Sequence, residues 1–396
     1  MDKSPSRETK ISYAKQSISQ GDIEAVIEVL KSNYLTQGPM VPAFEDLVSS
    51  YVQADHAFAF NSATSALHAA CLSLEVSAGD VVWTSANTFV ASANCALYCG
   101  ADVDFIDIDP HTYNLSSSRL EEKLIQAKKV GRLPKVVIPV HFCGQSCDMV
   151  AIHKLSKIYG FRIIEDASHA IGAEYKSEKI GCGRFSDITI FSFHPVKIIT
   201  SAEGGMAVTN NSKVADKLKL LRSHGITSSP EKMDSRPEEE IWNYQQIDLG
   251  FNYRMSDINA ALGLKQMERI DKFLSRRRAI ALEYDQKLQG LPITLPFQLS
   301  SGLSSYHLYP VRLNLDELKK SQKDIFNSLR SHGLLVNLLY IPVYLQPYYQ
   351  SLGFKRGYCP EAENYFHESI SIPMYPDLTE DQQLRVIETL SLVLTS

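Results

Sequence analysis

Between His56 and Thr209, short apolar runs rich in β-branched and aromatic residues alternate with stretches whose apolar positions recur every three or four residues. The short runs predict strands at His56–Phe60, Val81–Ser85, Val103–Asp107, Val136–Val140, Arg162–Glu165, Ile188–Phe193 and Met206–Thr209. The periodic stretches predict helices at Ser65–Leu74, Ala91–Cys99, Leu120–Lys128 and Met149–Tyr159. Strands alternating with helices predict an α/β fold with a large, mostly parallel seven-stranded sheet covered on both faces. No helix separates the last two strands, so one of them is a candidate to run antiparallel.

The flanks read differently. A polar lead, Met1–Lys10, precedes a helix near Gly21–Ser32, a loop over Asn33–Pro42 and a helix through Phe44–Tyr51. The loop carries Thr36-Gln37-Gly38-Pro39, a strong turn signal. After the sheet region, apolar Ile258, Leu262, Met267, Ile270, Phe273 and Leu274 keep helical spacing and predict one long helix, Ser256–Leu288, ended by Gly290-Leu291-Pro292. The remainder predicts a smaller α+β domain: strands at Tyr306–Leu313 and Leu335–Ile341, helices at Lys323–His332 and Asp381–Leu394. A division into 1–255 and 256–396 follows, the long helix connecting the two parts. A length of 396 residues suits two domains.

Charge and cysteine usage narrow the function classes. A net charge of −5, with 21% charged residues and no dense Lys/Arg block, gives no footprint for nucleic acid. The lead lacks the apolar core of a secretory signal, and no run reaches the roughly 18 apolar residues of a membrane span. A cytoplasmic protein is expected. Seven scattered cysteines form no disulfide framework. His141, Cys143 and Cys147 fall within loose zinc spacing, but no second pair follows, so no metal is expected.

Five segments carry candidate chemistry. Ser192-Phe193-His194-Pro195-Val196-Lys197 follows a strand, and ligands of open α/β sheets bind at strand exits. A lysine there can form a Schiff base with an aldehyde cofactor and then shuttle protons. Asp166 closes the preceding strand, where a buried carboxylate can pair with a pyridinium nitrogen and keep a ring electron-poor. Asn61-Ser62-Ala63-Thr64-Ser65 joins a strand to a helix, a place suited to phosphate. Phe89 follows the next strand and offers a flat face for stacking. Gly250-Phe251-Asn252-Tyr253-Arg254 crowds polar groups ahead of the long helix. Taken singly, each has an ordinary reading: a surface lysine, a capping aspartate, a Ser/Thr cap, a core phenylalanine, a helix start.

Their order is more specific than any one of them. Phosphate loop, aromatic platform, strand-end Asp and strand-end Lys in this succession resemble the aspartate-aminotransferase-like fold, fold type I of pyridoxal-phosphate enzymes. Leu35-Thr36-Gln37-Gly38, Asn61 to Ala66, Asp166-Ala167-Ser168-His169-Ala170, Phe191 to Lys197, Glu203-Gly204-Gly205, Arg222-Ser223-His224-Gly225 and Asn252-Tyr253-Arg254 are similar to the DegT/DnrJ/EryC1/StrS sugar aminotransferase family. The likeness runs from about Ile11 to the C-terminus and is strongest to the branch serving pseudaminic acid biosynthesis.

The resemblance implies a cofactor, pyridoxal 5'-phosphate, and a role for each matching position. Lys197 is the Schiff-base lysine, Asp166 pairs with the ring nitrogen, and His169 lies near the ring hydroxyl where many members have Gln. Phe89 stacks on the ring. Ser62, Ala63 and Thr64, with Ser192, hold the phosphate, and Asn252 reaches the cofactor of the other subunit of a homodimer. Tyr13, the loop Asn33, Tyr34, Leu35 and Thr36, then Tyr253, and the strand Leu338, Leu339, Tyr340 and Ile341 match substrate-contacting segments. The implied reaction moves the amino group of L-glutamate to C4 of a UDP-linked 4-keto-6-deoxy-N-acetylhexosamine. Two departures stand out. The branch has His-Tyr-x-Pro where this chain has Leu339-Tyr340-Ile341-Pro342, and Ala86 replaces a common Pro.

Three rival readings remain at this level. A sugar dehydratase of the same fold carries His in place of the lysine, which Lys197 opposes. A non-catalytic relative would lack Lys197 or Asp166, and both are present. An aminotransferase for another nucleotide sugar, or another carbon, stays open.

Overall fold

The seven strands of the large sheet owe their burial on both faces to alternation at the single-residue level. In the computed structural model, which describes residues 10–235 and 240–396, Ile163, Val137, Phe191 and Met206 face one apolar layer, while Ile164, Ile138, Ile190 and Ala207 face the other. The lead Met1–Thr9 lies outside the described residues. Two helices come first, α1 (Gln20–Lys31) and α2 (Met40–Val52). The strands are β1 (His56–Phe60), β2 (Val81–Ser85), β3 (Asp102–Ile106), β4 (Val136–Ile138), β5 (Arg162–Asp166), β6 (Ile188–Ser192) and β7 (Gly205–Thr209). The helices among them are α3 (Ala63–Ser73), α4 (Ala91–Tyr98), α5 (Ser117–Lys129) and α6 (Met149–Tyr159), and α7 (Ser212–Leu221) follows.

The sheet order is β1-β7-β6-β5-β4-β2-β3. Strand β7 runs antiparallel to both neighbours, β1 and β6, and the other pairs are parallel. Register then gathers distant positions at one edge. Gly205 pairs with Phe60 on one side and Ser192 on the other, and Asp166 pairs with Ile190 two residues before Ser192. The ends of β1, β5 and β6 and the start of β7 therefore meet where ligands of such sheets bind.

Beyond the sheet the predicted single helix is two: α8 (Asp257–Met267) and α9 (Ile270–Lys287). The helix breaks at Arg269 (φ −112°, ψ 6°), whose guanidinium turns to the buried Asp22 at the start of α1. Asp257 has its own task. Its carboxylate accepts the N–H groups of Gly38 (2.6 Å), Met40 (2.8 Å) and Val41 (3.2 Å), capping α2 from another element.

The last third builds a small antiparallel sheet from β8 (Ile293–Thr294), β9 (Tyr309–Leu313) and β10 (Ser369–Ile372). It packs with α9, α10 (Gln322–Ser331) and α13 (Glu380–Thr395) around a third apolar core; the short α11 (Pro347–Ser351) and α12 (Pro360–Glu368) lie between. Two strand predictions shorten. Of Leu335–Ile341, only Leu335 belongs to a strand, Leu334–Leu335, which pairs with Ile11–Ser12. Of Tyr306–Leu313, the first three residues leave the strand because their backbone bonds to the segment after β4 instead, His307 N–H donating to Cys143 O at 2.8 Å. Ile11 joins the small core, and Val343, Tyr349 and Tyr365 join a face of the large sheet, so both parts exchange segments. With those exchanges, we propose the division into 1–255 and 256–396. No helix among the described residues is long and apolar enough to cross a membrane.

Candidate active site

At the gathered strand ends lies a cavity of about 390 Å³. The sequence candidates Tyr13, Ser62, Ala63, Thr64, Phe89, Asp166, His169, Ser192, Lys197, Leu339 and Tyr340 all line it. Thr88, Ser168, His194, Glu203 and Gly204 line it as well and were not among the candidates.

The acid end is built on β5. Asp166 is 4% exposed. Its Oδ2 accepts the Ser92 hydroxyl at 2.6 Å, and its Oδ1 accepts the Ser168 N–H at 3.0 Å. Ser92 in turn meets Thr88 Oγ1 at 2.8 Å. Both donors to Asp166 hold the carboxylate in one orientation. Ser92 was missed in the sequence because it is a helix serine 74 residues away from Asp166, with no local motif to mark it.

Behind Asp166 sits a second buried pair. His141 Nε2 lies 2.6 Å from Glu165 Oε2, and His141 Nδ1 accepts the Cys147 N–H at 3.1 Å. Burial alone raises the Glu165 pKa, but hydrogen bonds from His141, Ser186 and Thr189 hold it below the usual range. The His141 N–H also donates to the Asp166 carbonyl at 3.0 Å, so this pair fixes the end of β5. Among the described residues no cluster of three or more His, Cys, Asp or Glu is placed to hold a metal.

Lys197 reaches the cavity from the turn after β6, where its N–H closes on His194 O at 2.9 Å. Burial of the amine lowers its pKa to about 8, against the opposing charge of Asp166. The amine is thus a better nucleophile near neutrality than an exposed lysine.

The anion end is the start of α3. Ser62 caps it, its hydroxyl accepting the Ser65 N–H at 3.1 Å. The N–H groups of Ala63 and Thr64 come too early in the helix to find a carbonyl within it, and the helix dipole adds positive potential there. Gly205 makes this approach feasible: a Cβ on it would lie 2.5 Å from Ala63 N. Only a glycine lets β7 pass directly beneath the helix start.

His169 closes the floor. Its Nδ1 accepts the Cys143 N–H at 3.3 Å, so the ring proton sits on Nε2, which meets the Tyr340 hydroxyl at 3.2 Å. Burial, helped by the charge of Lys197, pushes the His169 pKa well down, and the ring is neutral. Burial likewise pushes the Tyr340 phenol up. His307 packs behind His169 with ring centroids 4.3 Å apart. Its turn is held by Arg277, fully buried, whose Nη1 donates to the carbonyls of Tyr306 (3.1 Å), His307 (3.3 Å) and Met374 (3.1 Å). Phe89 stands at the mouth, 56% exposed, 6.1 Å from the Tyr340 ring.

Other sequence candidates lie apart from this cavity. Asn252 is exposed and bridges to Ser223. Tyr253 stacks on Phe251 at 4.8 Å and meets His68 Nδ1 at 3.0 Å. Asn33, Tyr34, Leu35 and Thr36 are exposed beside α8, Thr36 bridging to Ser256. Leu338 and Ile341 do not line the cavity, although Leu339 and Tyr340 between them do.

The cavity brings together a buried carboxylate (Asp166), an amine (Lys197), backbone N–H groups at a helix start (Ala63 and Thr64) and a flat ring (Phe89), a set that fits a flat cofactor with a ring nitrogen, an aldehyde and a phosphate. Fold and site together define a pyridoxal-phosphate enzyme of fold type I. Residues 16–391 match the model of the DegT/DnrJ/EryC1/StrS aminotransferase family, and the chain belongs to that family. It is 38% identical over 386 residues to the UDP-4-amino-4,6-dideoxy-N-acetyl-beta-L-altrosamine transaminase of Campylobacter jejuni, covering 97% of both chains. Its fold superimposes on Helicobacter pylori PseC, an aminotransferase involved in the biosynthesis of pseudoaminic acid, with a TM-score of 0.88, 31% identity and coverage of 98% and 99%. Spr1654 of Streptococcus pneumoniae in its PLP-form gives a TM-score of 0.87 at 29% identity, covering 98% and 99%. The chain is a pyridoxal-phosphate-dependent sugar aminotransferase.

Proposed function

We propose that this enzyme transfers the amino group of L-glutamate to C4 of a UDP-linked 4-keto-6-deoxy-N-acetylhexosamine. The product is UDP-4-amino-4,6-dideoxy-N-acetyl-β-L-altrosamine, an intermediate of pseudaminic acid biosynthesis. Likeness over nearly the whole chain to the Campylobacter enzyme of that name supports the sugar. The observation that carries the chemistry is Lys197, its pKa lowered to about 8, in one cavity with the buried Asp166.

When bound, pyridoxal phosphate supplies an aldehyde for amine exchange and a ring that takes up an electron pair. The chain's residues do the rest. Lys197 holds the cofactor between turnovers. Once released as a neutral amine, it takes the proton from the donor Cα and later delivers one to sugar C4. Asp166 keeps the ring nitrogen protonated, and Ser92 and Ser168 hold Asp166 in place. His169, neutral and with its proton on Nε2, holds the Tyr340 hydroxyl in the cavity. Ala63 and Thr64 would anchor the phosphate through their backbone N–H groups.

Asn252, exposed and outside this cavity, completes the phosphate site of a second copy in this reading, so the active unit is a homodimer. The exposed loop Asn33–Thr36 and Tyr253 contribute to the nucleotide-sugar site of that assembly. A fully active monomer in sedimentation contradicts this part.

One observation favours a second reading, an aminotransferase for another nucleotide sugar: Leu339, where the branch usually has His, lines the cavity. A panel of nucleotide-linked keto sugars incubated with glutamate, with products assigned by NMR, decides. The proposal requires amination at C4 of the UDP-linked 6-deoxy-N-acetylhexosamine. Faster conversion of a different nucleotide or carbon position overturns it.

A further inference from the structure

The cavity lining is mixed in its chemistry. Asp166, Ser168, His169, Ser192 and Lys197 supply polar groups, whereas Leu67, Phe89, Val140, Val196 and Leu339 supply apolar ones. Leu339 is held there by its surroundings. Its carbonyl accepts the Tyr365 hydroxyl at 3.3 Å, and the next N–H, of Tyr340, donates to Asn87 Oδ1 at 3.2 Å. On either side the segment is tied again: Asn337 exchanges backbone bonds with Ser371 at 3.2 and 2.8 Å, and the Val343 N–H donates to Ala86 O at 3.0 Å. The side chain itself packs against the core of the large sheet. A leucine so anchored has little freedom to swing aside for a polar group, and it has no hydrogen bond to offer one.

We infer that Leu339 is a specificity-determining residue that receives a methyl group of the sugar. The inference rests on the proposed function and deepens it. A hydroxyl turned toward Leu339 gives up water without gaining a partner, while a methyl gains apolar contact. Discrimination by an apolar contact against an added hydroxyl is worth roughly 10–100-fold. The sugar proposed above carries two methyl groups, one at C6 and one on the N-acetyl. Either presents the same chemistry to Leu339.

The test uses the full-length, cofactor-loaded enzyme in the reverse direction, where the probes are stable amino sugars. Three are compared: UDP-4-amino-4,6-dideoxy-N-acetyl-β-L-altrosamine, its 6-hydroxy analogue, and its N-formyl analogue lacking the acetyl methyl. Binding is read by calorimetry with the cofactor-loaded Lys197→Ala protein, and the sugar and glutamate half-reactions are followed separately by the cofactor's absorption. The native enzyme prefers the parent over one analogue by roughly 10–100-fold, and the affected analogue identifies the methyl. Leu339→Asn shrinks that preference to within a few-fold and slows the sugar half-reaction far more than the glutamate half-reaction. Leu339→Ala, which keeps an apolar wall, retains more of the preference than Leu339→Asn. Equal handling of all three sugars by the native enzyme overturns the inference, as does equal slowing of both half-reactions in Leu339→Asn. Failure of every UDP sugar, with the glutamate half-reaction intact, overturns the proposed substrate instead.

Discussion

The Ser92 hydroxyl lies 2.6 Å from Oδ2 of Asp166, across 74 residues of sequence and between α4 and β5. A hydrogen bond to a charged group is worth about 1.5–3 kcal/mol, and this one holds the carboxylate proposed to face the ring nitrogen. Ser92→Ala is expected to retain bound cofactor and to lower kcat roughly 10-fold, in line with that energy. Steady-state kinetics beside the absorption spectrum check this. An unchanged kcat removes Ser92 from the positioning of Asp166.

Lys197 predicts how the cofactor-free protein takes up pyridoxal phosphate. Its pKa is lowered from 10.5 to about 8 by burial, so the reactive neutral amine predominates above pH 8 rather than above 10.5. The loading rate, followed by growth of the visible band, should rise with pH to a midpoint near 8. The sign for stability agrees. Between those two values the unfolded chain binds the proton that the folded one has released, so this group makes unfolding harder as pH rises. A loading midpoint above 10 contradicts the burial of the amine.

Gly205 predicts a defect confined to the phosphate end. A Cβ there would meet Ala63 N at 2.5 Å and Ala63 Cα at 2.6 Å, both backbone atoms. The start of α3 must then move, at a cost of about 1–3 kcal/mol. Gly205→Ala should weaken cofactor affinity roughly 10–100-fold while leaving the spectrum of the loaded form unchanged. Equilibrium titration of the apo protein reads both.

Arg277 predicts a structural cost without a catalytic contact. Its Nη1 serves three carbonyls, and burial, with no carboxylate partner among the described residues, lowers its pKa to about 9. Arg277→Gln strands part of that set and frees the His307 turn behind His169. A loss of about 3 kcal/mol in unfolding free energy is expected by chemical denaturation. A change below 0.5 kcal/mol is the opposite outcome.

The sheet was legible in the sequence because its strands are short β-branched runs buried on both faces, as at Val136–Ile138 and Ile188–Ser192. Part of the cavity lining was legible because Asp166 and Ser192 close strands and Ser62 follows one closely, where a polar residue after an apolar run stands out. Segments stabilised from elsewhere were not. The α8–α9 break is invisible in a hydrophobic pattern that continues through it, since Arg269 answers to Asp22 on α1. The run from Leu335 to Ile341 has strand composition, yet beyond Leu335 its backbone is tied by isolated bonds to Asn87, Ser371 and Tyr365 rather than by a continuous ladder. Ser92 and His307 matter through contacts that join remote elements, and neither stands in a local motif.

In the proposed function Lys197 holds the cofactor, with Asp166 at the ring. Borohydride reduction of the loaded protein, followed by mass mapping of its peptides, tests it most directly. The cofactor's mass should appear on the peptide bearing Lys197 and on no other, and it should vanish together with the visible band in Lys197→Ala. Label on a different lysine, or an unchanged visible band in that variant, would contradict the assignment.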